Sequence, residues 1–439
     1  MLLAASLSLG CAEEPQKNLL LIVVDTLRAD HLGSYGHTRR VSPEIDDLAA
    51  RGARFERAYA TAPWTQPSVA SVLTGLYPSS HGADRLLRVL PRSANTLAER
   101  LRQARYATAA VVSHYLLGPR FGFDQGFETF VHGTALGPGR FSTPGVSARG
   151  DELLADLALD ERPFFLFLHY FDPHYSYERH PDAGFASANG AGRLDGKRSV
   201  EELRSLDPPP DIAEAAFVRD LYDEEIRFTD AGIGRVLASL SRLGLADSTV
   251  VVLVSDHGEE FWERGWLGHT RTLYDELVRV PLIIRSPGLA PRTVGDPVSL
   301  VALAPTLLEL LGVEGRGFQG RSFASLLSAG STYVPEPIYL ETEYFVPGSQ
   351  ALRPERKHAL IEGHTKLVED RVSGARQLYD LAVDPHEQRQ LSSRNVRLER
   401  QLSDAAARFA SQRLQGAPSP VAPTPEERRM LQALGYITE

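Results

Sequence analysis

The sequence predicts an α/β protein built on a large, mostly parallel sheet that is flanked by helices. Short apolar runs recur along the chain, and stretches with the periodicity of amphipathic helices separate them. The runs are almost continuously apolar, which indicates strands buried on both faces, as in a parallel sheet. Strands that alternate with helices in this way are typical of a doubly wound sheet. The predicted strands are residues 18–24, 107–113, 164–169 and 249–255.

Helical periodicity fills most of the chain between these strands. The predicted helices are residues 43–52, 67–75, 94–104, 212–243 and 303–311. In doubly wound sheets, ligands bind beyond the carboxyl ends of the strands. Asp25, His169 and Asp256 each stand at the end of an apolar run or directly after it. The sequence therefore predicts that these three polar side chains meet at one edge of the sheet.

The composition is that of a globular protein with a sizeable core. Of 439 residues, 43% are hydrophobic and 23% are charged, and this length suits two to three domains of about 150 residues. The chain carries 47 basic and 56 acidic residues, for a formal net charge of −9. Because a polyanion needs a basic surface, this balance argues against nucleic acid as a partner, while it permits a local basic pocket for a small anion.

The single cysteine, Cys11, excludes an intrachain disulfide. Residues 1–10 are small and apolar, and polar residues follow Cys11. This arrangement resembles the signal of bacterial lipoproteins, so we interpret residues 1–16 as an export segment. The protein is expected in the bacterial periplasm or at the cell surface, with a membrane tether through a lipidated Cys11. A plain secretory signal and a start codon assigned too late are the alternatives.

The pattern of apolar residues changes after about residue 315, where shorter strand-like segments appear. Residues 17–314 are predicted to form a main domain, and residues 315–412 a smaller α+β subdomain. The subdomain has predicted strands at 337–341, 357–361, 366–369 and 376–379, and a helix near 395–412. Residues 413–439 are predicted to be a proline-rich linker and a terminal helix that docks back. Loops rich in Gly, Ala, Pro and Ser are predicted at 133–150 and 182–211.

A carboxylate and an imidazole follow the last apolar run as Asp256 and His257. Oxygen and nitrogen donors together suit Zn²⁺, Mn²⁺ or a harder cation. Asp25 also follows a buried strand directly, where a carboxylate is costly unless it is paired or bound to a metal. The alternative interpretation is that each Asp caps a turn and that the His is an ordinary surface residue.

Thr65 stands just before Pro67, a residue that fits the first turn of a helix because its missing N–H costs nothing there. The helix amino terminus offers free N–H groups and a positive dipole to an anion. A hydroxyl at that place, near a cation, is suited to attack an anionic ester. An ordinary helix-capping threonine is the alternative.

Two histidines farther along the chain, His174 and His269, are candidates for contacts to anionic oxygens, together with Arg271. Such groups bind oxyanions or protonate a leaving group. The alternative for each histidine is a structural role, and for the arginine a place on the surface.

Taken in order, several segments resemble the sulfatase branch of the alkaline-phosphatase superfamily, from about residue 18 to the carboxyl terminus. They are VVDTLRADHLGSYG, TQPSVASVLTGLYP, FLHYFDPHYSY, VVVLVSDHGEEF, GHTRTLYDELVRVPLIIRSPG and LYDLAVDPHEQRQL. The resemblance implies an alkaline-phosphatase-like sandwich, with residues 17–314 as the catalytic domain and the α+β subdomain after it.

The resemblance also implies roles for individual residues. Asp25, Asp256 and His257 would bind the metal, and Thr65 would be the nucleophile and a further ligand. His174 and His269 would contact the transferred group, and one of them would serve as general acid. One divalent cation is expected, and Ca²⁺, Mn²⁺ and Zn²⁺ are not distinguished. A second metal on Asp172, His174 and His269 is the less favoured alternative.

Four positions depart from the sulfatase pattern. Thr65 stands where the family has the Cys or Ser that becomes formylglycine, and the methyl on its Cβ prevents that oxidation. Val69 replaces the supporting arginine, Thr26 replaces a second carboxylate, and Ser113-His114 stands where a Gly-Lys-Trp-His segment is usual. A phosphate or phosphonate ester is therefore the favoured substrate. The alternatives are a sulfate-ester hydrolase that works without formylglycine and an inactive, exported binding protein.

Overall fold

The predicted α/β architecture is confirmed by the structure, a computed structural model. It describes residues 16–133, 142–330, 333–344, 355–391, 395–412, 421–433 and 436. Nine strands form the main sheet of this described part, four form a second sheet, and two form a short ribbon. The second sheet is antiparallel and lies in the predicted carboxyl-terminal subdomain.

The four apolar runs predicted for the main domain are strands, at residues 18–24, 107–112, 164–170 and 249–255, and the structure adds others. In chain order the strands are β1 (Asn18–Val24), β2 (Ala53–Tyr59), β3 (Ala107–Val112), β4 (Thr129–His132), β5 (Phe164–Tyr170), β6 (Thr249–Ser255), β7 (Glu260–Phe261), β8 (Leu267–Gly268), β9 (Arg279–Arg285), β10 (Arg292–Val294), β11 (Val298–Ser299), β12 (Ile338–Tyr344), β13 (Glu355–Glu362), β14 (Thr365–Asp370) and β15 (Arg376–Asp380).

The α-helices alternate with the strands of the main sheet. They are α1 (Pro43–Ala50), α2 (Thr65–Thr74), α3 (Pro78–His81), α4 (Leu97–Gln103), α5 (Thr143–Leu157), α6 (Val200–Arg204), α7 (Ile212–Arg242), α8 (Asp275–Val278), α9 (Leu303–Leu310), α10 (Val396–Ala410) and α11 (Pro425–Ala433). No helix among the described residues has the length and apolar character needed to cross a bilayer.

The main sheet has the strand order β10-β2-β9-β6-β1-β5-β3-β4, with β11 also paired to β2. Among these described strands, β9 alone runs antiparallel to its neighbours, β2 and β6. The central strands β6, β1 and β5 are parallel neighbours. Their carboxyl ends therefore lie side by side at one edge of the sheet, as the sequence predicts.

Successive residues of β1 pack into two different cores. Leu19, Leu21 and Val23 face the core that contains α2, α4 and α9, whereas Leu20 and Ile22 face the core that contains α1, α5 and α7. Because strand side chains alternate between faces, a continuous apolar run satisfies both cores at once. This packing explains why the run lacks polar residues until the strand ends.

The carboxyl-terminal sheet contacts the main domain on both faces. Ile338 and Leu340 of β12 pack with Leu277 of α8. Tyr339, between them, packs with Leu402 of α10 and with Tyr77 of the main domain. The predicted domain boundaries at 314/315 and 412/413 stay predictions.

Both predicted loops are in part helical. The interpretation of residues 182–211 as a loop was wrong for α6 (Val200–Arg204), whose amino terminus is capped by Ser199. The interpretation of residues 133–150 as a loop was wrong for residues 143–150, which form the first half of α5. Pro144 is compatible with the first turn of a helix, and Gly150 allows α5 to approach Leu168 closely. Residues 1–15 with Cys11, residues 134–141 and most of the predicted linker lie outside the described residues, so those predictions stay predictions.

Candidate active site

The predicted site forms at the edge of the sheet where β6, β1 and β5 end. Asp25 follows β1, Asp256 follows β6, and His169 is the penultimate residue of β5. The Nε2 atom of His169 lies 3.8 Å from Oδ2 of Asp25, and all three residues are fully buried. The strand-end prediction is confirmed for these residues.

Asp25, Asp256 and His257 form a cluster suited to a cation. Each residue offers one ligand atom, and these atoms lie within 4.8 Å of one another. His257 Nε2 lies 3.4 Å from Oδ1 of Asp25 and 3.6 Å from Oδ2 of Asp256. The Nδ1 atom of His257 is 2.8 Å from the carbonyl oxygen of Gly258, which leaves Nε2 for a metal.

The electrostatics of this cluster also fit a cation. Asp256 Oδ2 is buried without a hydrogen-bond partner in the described residues. Burial raises the pKa of the Asp256 carboxyl to about 8. Burial, and then the nearby Asp256 and Glu259, raise the pKa of Asp25 well above its usual range. A bound cation would offset the cost of ionising these buried carboxyl groups, because it favours their charged form.

Thr65 is the first residue of the fully buried helix α2. Its Oγ1 atom lies 3.5 and 3.4 Å from the two carboxylate oxygens of Asp25 and 3.3 Å from Nε2 of His257. The Ser68 hydroxyl donates to the carbonyl oxygen of Asp256 at 2.6 Å and so ties α2 to the same loop. The structure therefore brings the predicted nucleophile, helix amino terminus and metal ligands together.

His174 and His269 complete the predicted set. Their ring centroids are 5.0 Å apart, and the ring of His269 lies 4.6 Å from that of His257. Nδ1 of His174 bonds to the carbonyl oxygen of Tyr175 at 2.9 Å, while Nε2 of His174 and of His269 has no partner among the described residues. Burial is the main cause that lowers the pKa of both rings well below the usual value.

Arg271, the other predicted oxyanion contact, stacks on an aromatic ring. Its guanidinium carbon lies 3.6 Å from the centre of the Trp266 ring. Arg204 lies over the same ring and over a second one: its guanidinium carbon is 4.8 Å from the centre of the Trp266 ring and 5.2 Å from that of Tyr175. The sequence did not indicate Arg204.

Three site residues were missed or undervalued in the sequence. Glu259 contacts His269 Nδ1 at 2.9 Å and accepts a hydrogen bond from the Tyr177 hydroxyl at 3.1 Å. His114 lies with its ring centroid 6.1 Å from that of His174. Tyr436 places its hydroxyl 3.3 Å from Thr65 Oγ1. Glu259 stands in the Asp-His-Gly-Glu segment, whereas no local pattern indicates Tyr436.

The unusual residue Thr26 occupies a strained backbone position at the site. Its φ is +54°, a left-handed conformation that β-branched residues rarely adopt. The Thr26 amide donates to Oδ1 of Asp256 at 3.3 Å. A backbone N–H of Thr26 thus orients this ligand, at the position where the family pattern has a second carboxylate.

A second cluster with metal-ligand chemistry lies outside the predicted site. It consists of His31, His37 and Asp223, again with ligand atoms within 4.8 Å of one another. Asp223 already contacts His31 Nδ1 at 2.6 Å, His37 Nε2 at 3.3 Å and the Arg39 guanidinium at 3.1 Å. Asp172 belongs to neither of the two clusters found in the described part of the chain.

Comparison with known proteins defines the class of protein that this fold and site belong to. The sulfatase family model matches residues 17–313, and a model of the carboxyl-terminal part of N-sulphoglucosamine sulphohydrolase matches residues 262–411. The first match covers more than half of the chain. The protein therefore belongs to the sulfatase family.

Individual relatives are enzymes that hydrolyse esters. Human arylsulfatase A is 28% identical over 377 residues, which cover 71% of this chain and 67% of that protein. Choline-sulfatase of Rhizobium meliloti is 28% identical over 429 residues, covering 84% and 81%. The crystal structure of phosphonate monoester hydrolase of Agrobacterium radiobacter has a TM-score of 0.75 at 20% identity and covers 90% of this chain and 96% of its own.

These comparisons confirm the fold and the general activity. The structural match confirms the alkaline-phosphatase-like architecture, and the family assignment makes the chain a sulfatase-family hydrolase of the ester-hydrolase class. Enzymes of this family depend on a metal, for which the Asp25, Asp256 and His257 cluster is the candidate.

Proposed function

We propose that this protein is a metal-dependent hydrolase or transferase of phosphate or phosphonate esters, with Thr65 as the nucleophile. The observation that supports this proposal is the position of Thr65 Oγ1. It lies within 3.5 Å of the Asp25 carboxylate and 3.3 Å from His257, at the amino terminus of a buried helix. A hydroxyl in these surroundings has both an acceptor for its proton and an electropositive place for an anion.

Threonine favours phosphorus over sulfur as the centre that is attacked. Its β-carbon carries a methyl group, so oxidation to formylglycine, the usual route to a sulfatase nucleophile, is closed. A threonine alkoxide is well suited to phosphoryl transfer, in which catalysis rests on positioning and on charge stabilisation. The structural similarity to a phosphonate monoester hydrolase is compatible with this choice. A sulfate ester attacked by the unmodified threonine is the second candidate, because the named relatives include sulfatases.

The proposed reaction has two displacement steps. In the first, the Oγ1–P bond of Thr65 forms while the bond from phosphorus to the leaving oxygen breaks. The proton of the hydroxyl passes to Asp25, its hydrogen-bond acceptor. His174 or His269, which takes up a proton as the imidazolium when the anionic ester binds, donates that proton to the leaving oxygen. In the second step, water or an acceptor alcohol attacks phosphorus and gives its proton to that histidine, the Oγ1–P bond breaks, and Asp25 returns its proton to Thr65.

A divalent cation bound by Asp25, Asp256 and His257 would lower the pKa of the nearby hydroxyl and offset negative charge on the ester. Side chains of the protein supply the other contacts to the ester. In His174 and in His269, a hydrogen bond fixes the Nδ1 atom of the ring. The Nε2 atom of each ring is thereby oriented toward a ligand. The buried walls exclude bulk water, which strengthens each of these contacts.

The test is turnover of a panel of p-nitrophenyl phosphate, phosphodiester, phosphonate and sulfate, each with Zn²⁺, Mn²⁺ or Ca²⁺ added to metal-free protein. Thr65→Ala is expected to lose about 10³-fold or more in kcat, as loss of a nucleophile does. Thr65→Ser, which keeps the hydroxyl, should retain much of it. Thr74→Ala is the matched control, because Thr74 is a buried threonine of the same helix whose hydroxyl bonds to Ala70.

Mass spectrometry of acid-quenched enzyme gives an independent readout. With a phosphate ester we expect one phosphoryl group on the peptide that carries Thr65, and none in Thr65→Ala. Turnover of the sulfate ester alone would favour the second candidate. Absence of turnover with every metal would overturn both.

A further inference from the structure

Tyr436 reaches the active site from the carboxyl-terminal end of the chain. It stands 371 positions after Thr65, and its hydroxyl oxygen lies 3.3 Å from Thr65 Oγ1. The same oxygen lies 3.5 Å from Nε2 of His114. An oxygen of a substrate poised for attack by Thr65 must stand close to the same place, because reacting atoms approach to about 3–3.5 Å.

The ring of Tyr436 fills the space in front of these groups. Its centroid lies 6.2 Å from the ring of Trp64, 5.9 Å from that of His269 and 6.1 Å from that of His114. Its carbonyl oxygen accepts a hydrogen bond from the Tyr344 hydroxyl. Only 1% of the residue is exposed, so Tyr436 is an integral part of the packed interior.

The active site is closed to solvent in this arrangement. Asp25, Thr65, Asp256 and His257 are each 0% exposed, and His174 and His269 are similarly buried. An ester in solution therefore cannot reach Thr65 Oγ1 unless a segment moves. The segment that carries Tyr436 is the natural candidate, because its hydroxyl stands directly against Thr65 Oγ1 and His114 Nε2.

Helix α11, which precedes Tyr436, is joined to the main domain by polar contacts at its amino-terminal end, which include a contact between the Tyr115 hydroxyl and the Glu427 carboxylate. The Arg120 guanidinium pairs with the Glu427 carboxylate and donates to the carbonyl oxygen of Ala422 at 2.9 Å. The amide of Val421, just before α11, donates to the carbonyl oxygen of Leu87 at 2.9 Å. The apolar anchor is Leu431, which is fully buried in the main core. These contacts are compatible with a segment that docks and releases.

We propose that α11 and Tyr436 form a cover over the active site, and that the Tyr436 hydroxyl occupies the position of a substrate oxygen. Substrate and Tyr436 then compete for the same space, so entry of the ester requires release of the cover. This inference rests on the proposed function, in which the substrate approaches Thr65. The cover sets a lower apparent affinity for small esters, in proportion to the fraction of molecules that are open.

Four variants test this inference. Tyr436→Ala removes the group that fills the site, and Tyr436→Phe removes only the hydroxyl. Arg120→Ala weakens the docking of α11 from a position remote from the chemistry. Arg162→Ala is the matched control, since Arg162 is a similarly exposed arginine that pairs with Glu128 and Asp160 but not with the cover.

The kinetic readout is KM for the p-nitrophenyl ester that is turned over best. Arg120→Ala is expected to lower KM about two- to fivefold with kcat retained, the size of effect that loss of one partly exposed ion pair allows. Tyr436→Ala is expected to lower KM about tenfold or more. Tyr436→Phe should match or improve on the wild-type KM, and Arg162→Ala should change nothing.

Two readouts need no turnover, and they separate failure of the cover from failure of the proposed function. They are the affinity for inorganic phosphate by calorimetry and the rate at which EDTA removes Mn²⁺ from loaded protein. Both should rise in Arg120→Ala and Tyr436→Ala, even if no ester is hydrolysed by any variant. Unchanged values in both variants would overturn the cover. A fall in kcat of about tenfold or more in both Tyr436→Phe and Arg120→Ala would also overturn it, because Tyr436 would then assist the reaction.

Discussion

The carboxylate of Glu259 lies 2.9 Å from Nδ1 of His269, and both side chains are fully buried. The second carboxylate oxygen accepts a hydrogen bond from the Tyr177 hydroxyl at 3.1 Å. Glu259 therefore fixes the plane of the His269 ring and leaves Nε2 as its available nitrogen. Carboxylate–histidine pairs of this kind orient the ring and tune its basicity.

Replacing Glu259 by Gln is expected to lower kcat about 10- to 100-fold, with a smaller change in KM, because His269 loses the charge that orients it and tunes its basicity. The measurement is the pH dependence of kcat, which should shift if Glu259 acts through His269. Glu260→Gln is the control, because Glu260 is also buried but accepts its hydrogen bond from Thr272. An unchanged kcat and pH profile in Glu259→Gln would reduce Glu259 to a structural role.

The two metal-ligand clusters are expected to differ in occupancy. In Asp256→Asn the Asp25, Asp256 and His257 cluster loses a charged ligand, and affinity for the divalent cation should fall more than about 100-fold. Asp223→Asn should leave metal content unchanged, because Asp223 is already neutralised by Arg39 and by two histidines. Metal analysis of both purified variants checks this. Loss of metal in Asp223→Asn alone would assign the ion to the other cluster.

The sequence contains enough information to place the candidate metal ligands, because their positions depend on local order along the chain. A buried strand must be apolar until it ends, so Asp25 and Asp256 mark the ends of β1 and β6. Thr65 is placed in the same way, since Pro67 indicates the first turn of α2. These local rules predict the strands, the helix that positions the proposed nucleophile and the meeting of the three elements at one edge.

The parts that the sequence did not predict depend on contacts between distant segments. Tyr436 meets Thr65 across 371 positions, and nothing in the residues around Tyr436 indicates such a contact. His31 and Asp223 meet across 192 positions in the same manner. The amino-terminal half of α5 was interpreted as a loop because its Gly and Pro content is high, yet packing against β5 stabilises the helix. Tertiary contacts thus outweighed local propensity.

Ionisation of Asp256 should lower the stability of the metal-free protein as pH rises from about 4 to about 8. Burial raises the folded-state pKa of Asp256 to about 8, above its unfolded value of about 4. Between these two pH values the folded state binds more protons than the unfolded state does, so ionisation favours unfolding as pH increases. Urea unfolding of the wild type and of Asp256→Asn in EDTA, at several pH values, measures this contribution as the difference between the two slopes. The wild type should lose more stability than Asp256→Asn over this pH range, and a divalent cation should reverse the difference. Equal slopes in the two metal-free proteins would contradict the prediction.

The carboxyl-terminal sheet is joined to the main domain by a buried ion cluster. Lys366 of β14 lies 2.9 Å from Asp275 of α8 and 2.9 Å from Glu387, and its side chain is 0% exposed. Burial disfavours the ammonium, but the two carboxylates more than offset this and raise the pKa of Lys366 above its usual value. The cluster is therefore stable only while all three charges are present.

Lys366→Met should destabilise the protein by about 3–5 kcal/mol, because it leaves two buried carboxylates without their partner. The free energy of unfolding from urea titration measures this loss, and limited proteolysis should show earlier cleavage within β12 to β15. Lys197→Met is the control, since Lys197 is exposed. The buried Glu387 carboxyl should be protonated at low pH, so the loss should shrink as pH falls below about 7, the pKa of Glu387. A loss that is the same at pH 5 and pH 8 would show that packing of the lysine stem, and not its charge, holds the two domains together.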